Sequence, residues 1–370
     1  VSRTPTTAAC LIVRNEERFL EACLSSIVAH VDEIVLVDTG STDRSLEIAR
    51  QFGVHLIEQA WADDFAKARN TGVDAASSDW ILYIDADEVL SLPEGRRLTD
   101  DLADAEVFAA RVRFFAMLNA TPYREYRLFR NDPRLRFHGA MHETILPDLA
   151  TLRRDIGARV VDSAATIVHH GYEGDLTHKF RRNLPWLRAA VEREPERLYY
   201  WYDLARSLAG LGENAEARQV AGHAVAQASL SKAELDHVVG SAAADILAHL
   251  LRAAGEDAMP AVEAGLALKP DQARLLLVKA ELLAENGQLE EACVVLEGLC
   301  ALDIEALIDS SVGYDRRLFT QTAPHLLGTT LLRLGRVAEA ARAFQRVAAT
   351  QPDDADYLRN VAALGPWRDG

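Results

Sequence analysis

An α/β domain with a Rossmann-like, mostly parallel mixed sheet, followed by an all-α domain of helical repeats, is the fold class this sequence predicts. Short β-branched runs alternate with amphipathic stretches over residues 8–84. A polar cluster follows each of those runs. Past about residue 180 the texture becomes almost pure helix, rich in Ala, Leu and Glu. The expected domains are therefore residues 1–180 and 181–370, and 370 residues are enough for two cores.

The candidate strands cover residues 8–13, 33–37, 54–57 and 80–84. Between the first two, Leu20, Cys23, Leu24 and Ile27 recur at helical spacing, with Asn15 placed to cap that helix. Over residues 43–52, Leu46, Ala49 and Phe52 share a face, and Ser41 and Thr42 are capping candidates. Strand and helix in this alternation call for parallel pairing through right-handed crossovers. In the second half three segments echo one another, starting at Tyr199, Ala273 and Pro324. Each reads as a helix, a glycine turn (Gly212, Gly287, Gly335), then a second helix, and Gly255 marks a degenerate fourth unit. Glycine there supplies a left-handed helix stop. These pairs resemble tetratricopeptide repeats.

Composition excludes several classes. A formal net charge of −16 repels nucleic acid, and no basic stripe offsets it. The same field repels a polyphosphate unless a cation or local arginines reverse it. No long uncharged apolar run calls for a membrane span. The first residues lack a signal-peptide core, so a cytoplasmic location is expected. Four cysteines without Cys-x-x-Cys spacing read as buried reduced thiols.

Chemistry concentrates at the strand ends. "DTGS" at Asp38 carries the letters of an aspartic-protease loop, but here it follows a strand, precedes a helix and has no second copy. A carboxylate with a Gly-Ser-Thr turn at the carboxyl end of a parallel strand is instead where open α/β sheets bind ligands. Asp85-Ala86-Asp87 follows the fourth strand; on an extended segment i and i+2 side chains face one way, so both carboxylates can meet one hard cation, Mn²⁺ or Mg²⁺. Arg14-Asn15-Glu16-Glu17 and the helix bearing Lys67, Arg69 and Asn70 are expected at the same edge.

With these motifs in place, "LIVRNEERFLEACLSSI", "VDEIVLVDTGSTDRSLEIA", "DDFAKARNTG" and "DWILYIDADE" resemble the family 2 glycosyltransferases with the A-type nucleotide-sugar-binding fold, over residues 8–90. The helical tail narrows the resemblance to a bacterial subgroup that includes peptide S-glycosyltransferases. The resemblance implies that Asp38 reads the base of a uridine diphosphate sugar and that Glu16 contacts the nucleoside. It sets Arg69 near the base or phosphates, with Val13 and Ala86 completing the donor-binding set. Asp85 is expected at the ribose or a metal-bound water and Asp87 on the metal, with Glu88 a weaker candidate that caps the next segment. In "HGAMHETI", Glu143 matches the general base, and His142 is the alternative. His138 and His142 lack the third ligand of a zinc site. Arg127 and Arg130 either serve the leaving diphosphate or are surface charge. In "TIVHHGYEG" a late histidine completes the metal site; His170 is taken over His169 because Gly171-Tyr172 follows it. Lys179, Arg182 and Asn183 follow without an assigned role.

The expected function is metal-assisted transfer of a hexose from a uridine diphosphate donor, with inversion implied by the resemblance. The acceptor is a peptide Cys or Ser, a small natural product or a surface glycan precursor, and the repeats hold a peptide or form a homodimer interface. A nucleotidyltransferase uses a similar sheet but more commonly shows a Gly-rich, basic loop after the first strand, which Arg14-Asn15-Glu16-Glu17 is not. A non-catalytic repeat adaptor is the other alternative, and intact Asp85, Asp87 and Glu143 speak against it.

Overall fold

The structure, a computed structural model, describes residues 4–117, 119–171, 177–309 and 312–350. The chain divides into two units: Val1–Glu173 with Leu307–Gly313, and Gly174–Ala306 with Tyr314–Gly370. The division falls several residues before the expected position 180, and a short return segment joins the first unit.

The first unit is built on an eight-stranded sheet in the order β3-β2-β1-β4-β7-β6-β8-β5. Strands β1 (Thr7–Val13), β2 (Glu33–Asp38), β3 (His55–Glu58) and β4 (Trp80–Tyr83) alternate with helices α1 (Leu20–Ile27), α2 (Ser45–Gln51) and α3 (Phe65–Ala75). They pair in parallel: Val13 sits opposite Asp38, and Cys10 opposite Tyr83. Near-continuous burial along β1 and β2 fits strands covered on both faces. From β1 the chain runs out to β3, then returns to place β4 on the other side of β1. The carboxyl ends of β1 and β4 thus flank a switch point, where such sheets hold ligands.

The other half of the sheet comprises β5 (Glu88–Ser91), β6 (Val107–Phe115), β7 (Tyr123–Arg130) and β8 (Arg159–His169), with helix α4 (Leu146–Ile156) before the last strand. β7 runs antiparallel to β4 and β6, β8 runs parallel to β6, and β5 closes the edge antiparallel to β8. Two apolar clusters cover the two faces. One centres on Leu11, Leu24, Leu36 and Leu82, the other on Val35, Ile81, Phe129 and Leu149.

The second unit is helical: α5 (Thr177–Arg193), then the pairs α6 (Leu198–Gly210) and α7 (Asn214–Leu230), α8 (Glu234–Ala253) and α9 (Met259–Leu268), α10 (Ala273–Glu285) and α11 (Leu289–Ala301), and α12 (Ala323–Arg333) and α13 (Val337–Thr350). Gly212, Gly255, Gly287 and Gly335 have φ between 72° and 81°. After each, the next N–H reaches back to close the turn, as Gln288 N donates to Leu283 O at 2.9 Å. The degenerate fourth unit at Gly255 is thus a full helix pair. Among the described residues no helix is long and apolar enough to cross a membrane.

Candidate active site

Loops at the ends of β1 and β2 are stitched together by side chains. Asn15, with φ 58°, donates its N–H to Ser41 Oγ at 3.0 Å, and its Oδ1 accepts from Thr42 N at 2.7 Å. Glu16 N donates to Ser45 Oγ at 2.8 Å, and Glu17 N to Asp43 Oδ2 at 3.0 Å. The expected helix caps are therefore used otherwise: Asn15 braces the neighbouring loop instead of α1, and Ser41 accepts from Asn15 instead of capping α2. Asp38 is 3% exposed; its Oδ2 accepts from Gly40 N at 2.9 Å and Ser41 N at 3.0 Å, which shapes the turn. Among the described residues, its Oδ1 has a 3.3 Å contact from the same Ser41 N. The Val13 carbonyl is occupied by Thr39 N and Oγ1.

At the end of β4 the expectation of a shared face fails. The strand stops at Tyr83, and Glu88 N donates to Asp85 O at 3.1 Å, so Asp85, Ala86 and Asp87 lie in a turn. Asp85 and Asp87 meet different partners. Asp85 Oδ1 accepts from Arg69 Nη2 at 2.5 Å, and its Oδ2 lies 4.0 Å from Arg127. Asp87 Oδ2 lies 3.2 Å from His169 Nε2. Ala86 is buried.

Arg69, on α3, is buried and spans two carboxylates: its Nε donates to Glu143 Oε1 at 2.5 Å while Nη2 holds Asp85. The Tyr83 ring centre lies 4.9 Å from the Arg69 guanidinium and 4.6 Å from that of Arg127. Burial favours the neutral form of Asp85, but Arg69 and Arg127 outweigh it and hold its carboxyl down at about 2. For His169, burial opposes the charged ring, yet the Asp87 contact and the neighbouring carboxylates raise its pKa.

Glu143 is carried by a tight turn. His138 and Thr144 exchange backbone hydrogen bonds at 2.9 and 3.0 Å, with Gly139 at φ 96° and His142 at φ 53° between them. The turn is fastened to α3: Asn70 bonds both the N–H and the carbonyl of Phe137, and Phe65 N donates to Ala140 O. His138 Nε2 lies 2.8 Å from Asp148 Oδ2, a partner on α4.

Several expectations are corrected. His169, not His170, faces Asp87. It is in step along β8 with buried Ser163, Ala165 and Ile167, an alternation that "SAATIVHH" already carries. His170 contributes a backbone N–H to Asp87 O at 2.9 Å. Tyr172, which guided the choice of His170, lies outside the described residues. Arg69 is enclosed by carboxylates and aromatic rings rather than open to a diphosphate. Arg127 is buried and is not surface charge. Arg130 pairs with Trp80 at the start of β4, the opposite end of the sheet from the strand-end loops, and its guanidinium donates to Val107 O at 2.9 Å. Glu88 is no simple cap: it is buried and grips Arg127 with both oxygens.

Acidic strand ends thus gather at a switch point, and Glu143 is delivered beside them from a separate turn. Residues 9–156 match the family described as Glycosyl transferase family 2, and residues 325–364 match a tetratricopeptide repeat. The chain carries a family 2 glycosyltransferase domain followed by tetratricopeptide repeats. It is 37% identical over 196 residues to a tetratricopeptide-repeat-containing protein of Synechococcus elongatus, covering 52% of this chain and 47% of that one. It is 29% identical over 233 residues to the SPbeta prophage-derived glycosyltransferase SunS of Bacillus subtilis, covering 58% and 52%. The chain thus spans about half the length of these relatives. Among solved structures, glucosyl-3-phosphoglycerate synthase from Mycobacterium tuberculosis in complex with Mn²⁺, UDP-glucose and phosphoglyceric acid aligns with TM-score 0.39 and 14% identity, over 56% of this chain and 80% of that one.

Proposed function

We propose that the chain transfers a sugar from a uridine diphosphate donor to a nucleophilic acceptor at the carboxyl ends of β1, β2 and β4. The observation that carries this reading is the single buried Arg69 joining Asp85 at the donor edge to Glu143 on a separate turn. Asp38 Oδ1 is offered to the imide N–H of uracil, while Oδ2 keeps the loop in shape. Glu16, Val13, Asp85 and Ala86 border the nucleoside diphosphate. Glu143 acts as the general base. Arg69 holds its Oε1, and Oε2 takes the proton of the acceptor hydroxyl or thiol. The acceptor atom then bonds to the anomeric carbon as that carbon's bond to the diphosphate oxygen breaks, and the electron pair leaves with the nucleoside diphosphate. Glu143 is preferred to His142 because it belongs to the buried charge network.

Among the described residues no group of three His, Cys, Asp or Glu side chains is gathered to hold a metal, so a divalent cation would have two protein donors. Asp87 and His169 offer one carboxylate and one imidazole side by side, a donor set compatible with Mn²⁺. Gly171 leaves the space beside them: a Cβ there would lie 1.8 Å from Asp87 Oδ2. Asp87 and His169 would hold Mn²⁺ or Mg²⁺, and the ion would supply positive charge for the diphosphate in a chain of net charge −16. A peptide is the favoured acceptor, because helical repeats present extended binding surfaces. The test is a panel of nucleotide sugars incubated with the protein and Mn²⁺, with release of nucleoside diphosphate measured. One uridine diphosphate sugar is expected to turn over above the others; a flat response across the panel overturns the reading.

A further inference from the structure

Beneath the Asp85–Asp87 turn lies an ion pair that sugar transfer does not itself call for. Glu88 is 1% exposed and Arg127 4%. The pairing of β6 with β7 steps from Ala110↔Leu128 to Arg111↔Tyr126, leaving Arg127 as the extra residue of a β-bulge. Bulges re-aim side chains. Here Arg127, Leu128 and Phe129 are buried in succession where a regular strand would alternate. The Arg127 guanidinium lies 4.6 Å from the Tyr83 ring centre and 4.7 Å from that of Phe114. It donates Nη1 and Nη2 to the two Glu88 oxygens at 3.0 and 2.8 Å, and Glu125 adds a second carboxylate at 3.0 Å.

Stability alone is a poor reason for such a pair. Both charges give up water, and a matched apolar pair in the same place is often as stable or more so. Geometry supplies a better one. Glu88 Oε2 accepts the Asp85 N–H at 2.8 Å, and Glu88 N donates to Asp85 O at 3.1 Å, closing the turn that carries Asp87. Glu88 also opens β5, where it stands in register with His169 on β8. One buried carboxylate therefore ties the turn bearing Asp87 to the strand bearing His169.

We infer that Glu88 and Arg127 are positioning residues that hold Asp87 and His169 together for a divalent cation bound with a nucleoside diphosphate. They act through the turn and the β5–β8 pairing, not by touching cation or donor, and the inference rests on the function proposed above. The experiment measures Mn²⁺ affinity in the presence of UDP, by calorimetry and by the Mn²⁺ electron paramagnetic resonance signal, alongside thermal unfolding. It compares wild type, Asp87→Ala, Glu88→Gln and the double variant Glu88→Met/Arg127→Met. The double variant is expected to keep or exceed the wild-type Tm, yet to bind Mn²⁺ with UDP roughly 10- to 100-fold more weakly, the scale for groups that orient metal ligands. Glu88→Gln, which keeps shape but not charge, is expected between the two. If the double variant does not fold, Glu88→Gln decides by the same criterion. Wild-type Mn²⁺ affinity in the folded variants, with binding lost in Asp87→Ala, overturns this inference alone. A wild type that binds no Mn²⁺ with UDP, or an Asp87→Ala variant that binds it normally, overturns the metal site and this inference with it.

Discussion

Arg69 shows how one side chain constrains two roles. Its charge is shared at 2.5 Å between Asp85 and Glu143, so the proposed base and the carboxylate at the proposed donor edge are held in one arrangement. Gln in place of Glu143 can still accept from Arg69, which preserves the arrangement while removing the proton acceptor. Glu143→Gln is therefore expected to lower turnover by about 10²-fold or more, with UDP affinity little changed, in parallel steady-state kinetics and calorimetry. Near-normal turnover at neutral pH would remove Glu143 from the chemistry. The sequence marks Asp85, Asp87 and Glu143 as candidates, because short motifs flank each. It does not mark their pairing. Nothing near Arg69 announces Glu143 seventy-four positions later, and the choice between adjacent His169 and His170 turned on strand alternation rather than on the glycine that follows.

Elements whose signals are local were readable. The strands β1, β2 and β4 appear as β-branched runs, and the helix pairs appear through spacing and turn glycines. The antiparallel half of the sheet was not. Nothing in the order of the sequence tells that β7 pairs with both β4 and β6, or that a bulge turns Arg127 inward. Two glycines of the α10–α11 pair, one in its turn and one within α11, allow a test with opposite signs. Gly287 has φ 81° with open space around an added Cβ, so Gly287→Ala carries only the left-handed backbone strain, about 1 kcal/mol of lost stability. Gly298 lies within α11, also with open space, so Gly298→Ala is expected to stabilise by roughly 0.5–1 kcal/mol. Denaturant midpoints of the two variants check this; a Gly287→Ala variant as stable as wild type would mean the turn is not left-handed in solution, and a destabilised Gly298→Ala would overturn the helix expectation.

At the scale of the whole molecule, the two units explain why the repeats are irregularly spaced. The stretch between α11 and α12 includes Leu307–Gly313, which belongs to the first unit, so the last helix pair starts later than a uniform repeat would place it. Both units bury their thiols: Cys10, Cys23, Cys293 and Cys300 are all buried and free. Burial pushes Cys10 up to about 12 and Cys23 well above its ordinary value. Since the thiolate is the reactive form, a group whose pKa is raised this far is almost wholly protonated at pH 8. Native protein is expected to react slowly with a disulfide reagent at that pH, and denatured protein to release all four thiols; rapid native reaction at Cys10 or Cys23 would show that the first unit's core opens.

In the function proposed above, a cation at Asp87 and His169 would offset the net charge of −16 toward a nucleoside diphosphate. Release of UDP from the preferred uridine diphosphate sugar, measured for wild type with Mn²⁺, wild type with EDTA, and Asp87→Ala with Mn²⁺, tests this most directly. The expected result is turnover in the first case, and turnover abolished in the other two while the fold is kept. Equal turnover in all three would contradict it.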